Sequence, residues 1–260
     1  MPRLGIEVSA RGVSLVWFLK RLSQKNGRPV WELHKERAWH FGSVGHDRTI
    51  VVRHRVQIRF SKLGNLCYIG HRDLLRAIER LLRRSQLPVS MSEGYHPKVR
   101  MSFPSALALG VAGEEEVVEL DLAEPVTNEE VIKRLNAASY AGLAFLSAKT
   151  VQAGRRKTAH VASVFEMTLP AESLEITAQK IVVFLAESSV PVVKHNGKSV
   201  DVRVAVKRLS LVGNVLQMEL GTTGGADAGF REVLEVLGLR EQLFRTIFPS
   251  RKKVVLADEG

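Results

Sequence analysis

One cysteine, Cys67, stands among 260 residues. A lone thiol closes no internal disulfide, so a disulfide-built fold is excluded. Nor can it supply the three thiolates an iron–sulfur cluster usually takes, or a cysteine-rich zinc site. Long apolar runs are missing too. The run Val13 to Leu19 is too short to cross a membrane, is closed by Lys20 and Arg21, and has no small-residue cleavage site after it. The expectation is a cytoplasmic protein without membrane contact. Acidic residues are in short supply, with 27 Asp and Glu against 38 Lys and Arg, a net charge of +11 and a pI near 10. That balance favours an anionic partner such as RNA, an acidic protein or a membrane surface. No phosphate-binding fingerprint is present. The Gly-rich stretch Thr222 to Gly229 lacks the Lys and Ser/Thr that follow a P-loop and is expected to be a flexible connection.

What is present divides into three parts. Residues 1–54 are a basic N-terminal extension that carries all three tryptophans, Trp17, Trp31 and Trp39. Val13 to Leu22 suggests a short helix, and Val30 to Leu33 and Thr49 to Val52 short strands. Aromatics in a basic segment can stack on single-stranded nucleic acid or pack against a neighbouring domain.

Residues 55–151 follow the order strand, helix, strand, strand, helix, strand. Val56, Ile58 and Phe60 alternate with Arg55, Gln57 and Arg59 in a strand. A helix is predicted over about 72–86, with Leu74, Ile78, Leu81 and Leu82 as its buried stripe and Pro88 beyond its end. Strands are predicted over 99–103 and 116–122. Thr127 should cap a helix to about Ala138, with Glu129 and Glu130 in its first turn, and a strand follows over 143–151.

A polar, basic linker over 152–159 leads to residues 160–260, where the same order is expected to repeat: strand 164–169, helix 174–188, strands 200–211 and 215–220, helix 230–237, and a last strand within 244–256. The fold class is α+β, as two tandem ferredoxin-like (βαββαβ) units after the basic extension.

The stretch from Arg59 to Gly110 holds most of the unusual chemistry. Arg72, Arg76 and Arg80 recur every four residues along one helix face, Arg84 extends the row, and Arg83 flanks it. Such a face is often simply solvated, but the arginine fork also suits phosphate and carboxylate. Asp73 lies in the first turn, where the dipole favours it. The loop Ser90 to Arg100 brings Tyr95, His96, Lys98 and Arg100 around Gly94 and Pro97. The anion- or RNA-binding candidates are Lys62, Arg72, Arg76, Arg80, Arg83, Arg84, Tyr95, Lys98 and Arg100. His71 and His96 are candidates for acid/base chemistry. No third ligand suggests a metal site, and Ser102 and Ser105 have no role assignable from spacing.

These residues resemble the radical-SAM-linked protein family, a domain of unknown function found beside or fused to cobalamin-binding radical SAM proteins. Phe60, Ser61, Lys62 and Gly64 match its first block, and His71 and Asp73 its helix start. Arg76, Glu79, Arg80, Arg83 and Arg84 match the helix; Leu87 and Pro88 match its end; Ser92, Gly94, Tyr95, His96 and Pro97 match the loop. The match is strong over residues 56–125, thinner to about 250, and does not cover residues 1–50. Gly70 stands where the family usually has serine, and the loop after Pro97 is shorter than usual.

The resemblance implies an accessory or substrate-presenting partner of a cobalamin-binding radical SAM enzyme, acting on RNA or a ribosomal component. It implies no cofactor of the chain's own: the iron–sulfur cluster, S-adenosylmethionine and cobalamin belong to the partner. Two alternatives stay open, a stand-alone RNA-binding or RNA-processing protein and a protein-binding scaffold.

Overall fold

The computed structural model describes residues 53–152, 158–222, 228–240 and 249–257. The elements suggested for residues 1–52, residues 153–157 of the linker and residues 223–227 of the Gly-rich stretch lie outside the described residues.

The fold is mixed α+β, a large and mostly antiparallel sheet with a few helices. Its strands are β1 (His54–Lys62), β2 (Met101–Ser102), β3 (Ala112–Leu122), β4 (Leu143–Val151), β5 (His160–Thr168), β8 (Val206–Val212), β9 (Val215–Gly221) and β10 (Ser250–Leu256). A separate hairpin pairs β6 (Pro191–Val193) with β7 (Ser199–Asp201). The helices are α1 (His71–Arg84), α2 (Asn128–Ala137), α3 (Leu174–Ala186), α4 (Val202–Ala205) and α5 (Phe230–Val236). Short 3-10 turns occupy Gly64–Tyr68 and Ala171–Ser173.

Seven strands run in the order β4-β1-β3-β10-β5-β9-β8, with β2 paired to β3 off that path. The sheet is antiparallel throughout except where β3 meets β10. There Ala112 pairs with Ser250 and Gly113 with Arg251 in parallel. The seam between the chain's first and second halves is thus two residue pairs long.

Each half builds its own core from the periodicities in the sequence. On α1, Leu74, Ile78, Leu81 and Leu82 are buried against Val56, Ile58 and Phe60 of β1 and Phe145 of β4. Burying each such side chain stabilises by about 1.5–3 kcal/mol. Thr127 caps α2, its hydroxyl accepting from the Glu130 amide at 3.3 Å. The second core gathers Phe165, Met167, Phe184, Leu216, Met218, Phe230 and Leu234. Leu107 and Val111, from the loop before β3, also belong to it, so the first half inserts a loop into the second half's interior.

The structure departs from the sequence reading in two places. The expected strand 200–211 is β7, one turn of α4, and then β8. Asp201 causes the break. Its carboxylate accepts from the Ser189 hydroxyl at 2.6 Å, the Val190 amide at 3.0 Å and the Arg203 amide at 2.9 Å, which caps α4 and ends the ladder. These bonds, the Ser189 hydroxyl foremost, hold the Asp201 carboxyl below its usual range. The expected strand 99–103 shortens to Met101–Ser102 because Val99 pairs back to Met91 in a small hairpin. The last strand, expected within 244–256, is described as Ser250–Leu256, and residues 241–248 lie outside the described residues.

Candidate functional site

Gly70 caps α1 without a side-chain bond, and the Leu74 amide donates to its carbonyl at 3.0 Å. The stripe that buries the leucines turns Arg72, Arg76, Arg80, Arg83 and Arg84 to solvent. Their surroundings differ. Arg76 meets Asp73 at 3.4 Å, and Arg83 meets Glu79 at 2.9 Å, both as exposed pairs within one helix. Such pairs contribute a few tenths of a kcal/mol and open readily for a better anion. Arg84 is held elsewhere: it donates to the Ala138 carbonyl at 2.6 Å and lies over the Tyr140 ring at 4.4 Å. Arg72 and Arg80 make no ion pair or hydrogen bond with a described residue. The sequence row therefore resolves into two open cations, two paired ones, and one that ties α1 to the end of α2.

The loop after α1 is a narrow hairpin. The Ser92 amide donates to the Lys98 carbonyl at 2.7 Å, and the Lys98 amide donates back to the Ser92 hydroxyl at 2.9 Å. The Arg100 amide donates to the Ser90 carbonyl at 2.8 Å. Gly94 at φ +120° turns the tip, a backbone that a side chain rarely adopts. Tyr95 is fully exposed there, with His96 and Lys98 exposed beside it. None of the three side chains bonds to a described residue. Arg100 is turned inward, donating to the Met91 carbonyl at 3.1 Å and meeting Glu93 at 3.6 Å.

The two histidine candidates have different settings. The His71 ring packs edge-on against Phe103, its centroid 5.4 Å away, and its Nδ1 is buried without a partner. His96 stands at the exposed tip, and no described hydrogen bond joins the two. Lys62 is buried at 1% exposure. Its ammonium donates to the Ile69 carbonyl at 3.1 Å and the Cys67 carbonyl at 3.4 Å. Burial pushes its pKa below the usual value for lysine. It holds the turn after β1 in place and does not reach a surface anion.

Two hollows accompany these features. One, of about 460 Å³, lies at the C-terminal ends of α1 and α2 among Arg84, Gln86, Arg134 and Ser139. Its arginines already serve carbonyls: Arg84 bonds to Ala138, and Arg134 to Gln86 at 3.2 Å. Helix C-termini are also negative ends, so this hollow suits an anion poorly.

The other hollow, of about 430 Å³, lies beside the seam, between the loop Ser105–Ala108, β5 and the start of α5. At its edge Arg251 forms a bidentate pair with Glu116, both nearly inaccessible. The remaining guanidinium nitrogen donates to the Ser105 hydroxyl at 2.8 Å and the Ala106 carbonyl at 3.2 Å. His160 Nε2 lies 2.9 Å from the Ser163 hydroxyl. Burial, reinforced by the Arg251 charge, lowers the His160 pKa and keeps the imidazole neutral at neutral pH.

Sequence reasoning missed Glu116, His160, Ser163 and Arg251. The available signal was Glu116 itself, a charge next to Val117 and Val118 in an expected strand, which asks for a partner when buried. The sequence does not say which arginine answers. Among the described residues no three His, Cys, Asp or Glu side chains gather as metal ligands. No described helix is long and apolar enough to cross a membrane.

A family described as "uncharacterized protein conserved in bacteria (DUF2344)" matches residues 55–228. No curated protein matches the chain.

Proposed function

We propose that the chain, which belongs to the uncharacterized bacterial family DUF2344, is an accessory protein which binds an anionic substrate, RNA in the first place, and presents it to a cobalamin-binding radical SAM enzyme. The observation that carries the binding half is the pairing of open cations on α1 with an exposed aromatic tip. Arg72 and Arg80 stand about 12 Å apart along the helix by its rise per residue. Guanidinium groups there supply phosphate contacts, while Tyr95 supplies a face on which an unpaired base stacks. Lys98 adds a point charge at the same tip. The motif resemblance supports the enzyme half. On this reading the partner holds the iron–sulfur cluster, S-adenosylmethionine and cobalamin.

We read the scaffold as two ferredoxin-like units. The run β1, α1, β2, β3, α2, β4 is the βαββαβ sequence, and its strands order as β4-β1-β3-β2. The run β5, α3, β8, β9, α5, β10 repeats it as β10-β5-β9-β8, with the β6–β7 hairpin and α4 inserted.

The test is anaerobic affinity capture of the full chain from its source cell, with iron, cobalamin and RNA assayed in the eluate. An iron- and cobalamin-containing protein recovered together with RNA is the expected result. RNA without iron leaves a stand-alone RNA-binding protein. Iron and cobalamin without RNA, and no RNA affinity at low salt, leaves a protein-binding scaffold.

A further inference from the structure

We propose that the hollow beside the β3–β10 seam is a binding site for an uncharged planar heteroaromatic group of nucleobase size, with Ser163, His160 and Ser105 as its hydrogen-bonding wall. This site is separate from the α1 face and does not depend on it.

Its volume, about 430 Å³, lies in the range of small-molecule pockets and exceeds what a few waters need. Leu107, Phe165, Leu220 and Phe230 supply an apolar wall. Phe165 and Phe230 lie 5.3 Å apart and tilted by 40°, which offers ring surface to a flat guest. Ser105, Ser163 and His160 line the same hollow and supply its polar groups.

The charge balance decides the ligand class. Among the described lining residues only Arg251 and His160 can carry charge. Arg251 is neutralised by Glu116 in a buried bidentate pair. His160 is kept neutral by its surroundings. A charged guest would lose hydration and find no free counter-charge among the described lining residues, so an uncharged one is favoured. The Ser105 hydroxyl accepts from Arg251 and keeps its own proton to donate, and the Ser163 hydroxyl, paired with His160 Nε2, keeps a lone pair to accept. They therefore suit a ring edge that alternates donors and acceptors, as a nucleobase edge does. Such a base could come from a free nucleoside or from a single strand.

The experiment is calorimetric titration of the full chain with adenosine, guanosine, cytidine and uridine, and separately with a single-stranded oligoribonucleotide. Ribose 5-phosphate and inorganic phosphate serve as charged controls. The same titrations are run on Ser163→Ala, which removes one hydroxyl, and on Ala228→Leu, which fills the hollow, once circular dichroism shows each folded.

Binding of one or more nucleosides, weakened at least about tenfold in both variants, is the expected result. Binding of the oligonucleotide alone at full strength, weakened in both variants, assigns the base to a strand and keeps the site. Binding of neither, binding that both variants leave unchanged, or displacement of the nucleoside by phosphate overturns the proposal.

Discussion

Arg251 and Glu116 are 135 residues apart and meet as a bidentate ion pair across the seam between β10 and β3. The seam has only two backbone pairs, so this contact, with Arg59 donating to the Val254 carbonyl at 3.3 Å and Lys252 pairing with Glu114, does much to hold the halves in register. Gly113 makes room for it, because a Cβ there would lie 2.5 Å from Glu116 Cγ.

Removing one partner should be severe. Arg251→Met leaves the Glu116 carboxylate buried and unpaired, at a cost of about 3–5 kcal/mol. Urea unfolding measures it. The double variant Glu116→Leu with Arg251→Met should recover most of that loss, since no lone charge remains. A single variant within 1 kcal/mol of the parent would mean the pair is not the seam's anchor.

On α1, Arg72→Ala combined with Arg80→Ala should weaken single-stranded RNA binding at low salt. It should also flatten the slope of log affinity against log salt by about 1.4, two phosphate contacts at about 0.7 each. Both side chains are exposed, so stability should move by no more than about 0.5 kcal/mol. Fluorescence anisotropy across a salt series reads the slope; an unchanged slope removes this face from the site.

Tyr95→Ala tests stacking apart from charge. The expected loss is about 1–3 kcal/mol of RNA affinity, with the salt slope unchanged. Because the ring is fully exposed, thermal unfolding should not shift. Equal loss in Tyr95→Phe would point to the hydroxyl and away from the ring face.

His160 should make stability depend on pH. Its folded pKa lies below the ordinary 6.5, first through burial and then through Arg251. Between the folded value and 6.5 the unfolded chain binds more protons than the folded one, so stability falls as pH drops through that window and is level above it. Urea midpoints at successive pH values should show the fall, and His160→Gln should flatten it. An identical fall in the variant would assign it to other groups.

Gly142 carries φ +85°, and a Cβ on it would lie 2.5 Å from the Leu63 carbonyl oxygen. That close approach goes with the Leu63 amide donating to the Gly142 carbonyl at 2.7 Å. Gly142→Ala should destabilise by more than about 1 kcal/mol. A neutral result in thermal unfolding would show that the turn yields easily.

Features written in local periodicity were legible in the sequence. The stripe Leu74, Ile78, Leu81, Leu82 and the Thr127 cap are decided by neighbours three or four residues away, and they stand where the sequence places them. The cationic face of α1 follows from the same spacing. What stayed hidden depends on distant partners. Nothing near Arg84 foretells the Tyr140 ring, nor anything near Lys62 its burial. His160 and Ser163 look like ordinary polar residues of a strand until the fold closes over them. Asp201 was a readable exception: an aspartate inside a β-branched run signals a break, and the apolar neighbours outweighed it.

The two-pair seam has a consequence for how the chain is made. Glu116 leaves the ribosome 135 residues ahead of Arg251. At about 5–20 residues per second, that is a delay on the order of 10 s. Meanwhile β1, β3 and β4 can pair, but the edge of β3 at Ala112 and Gly113 waits open beside a carboxylate without its arginine. The nascent first half therefore passes through a stage with an uncovered strand edge. A chaperone or a neighbouring nascent chain could meet that edge before β10 closes it.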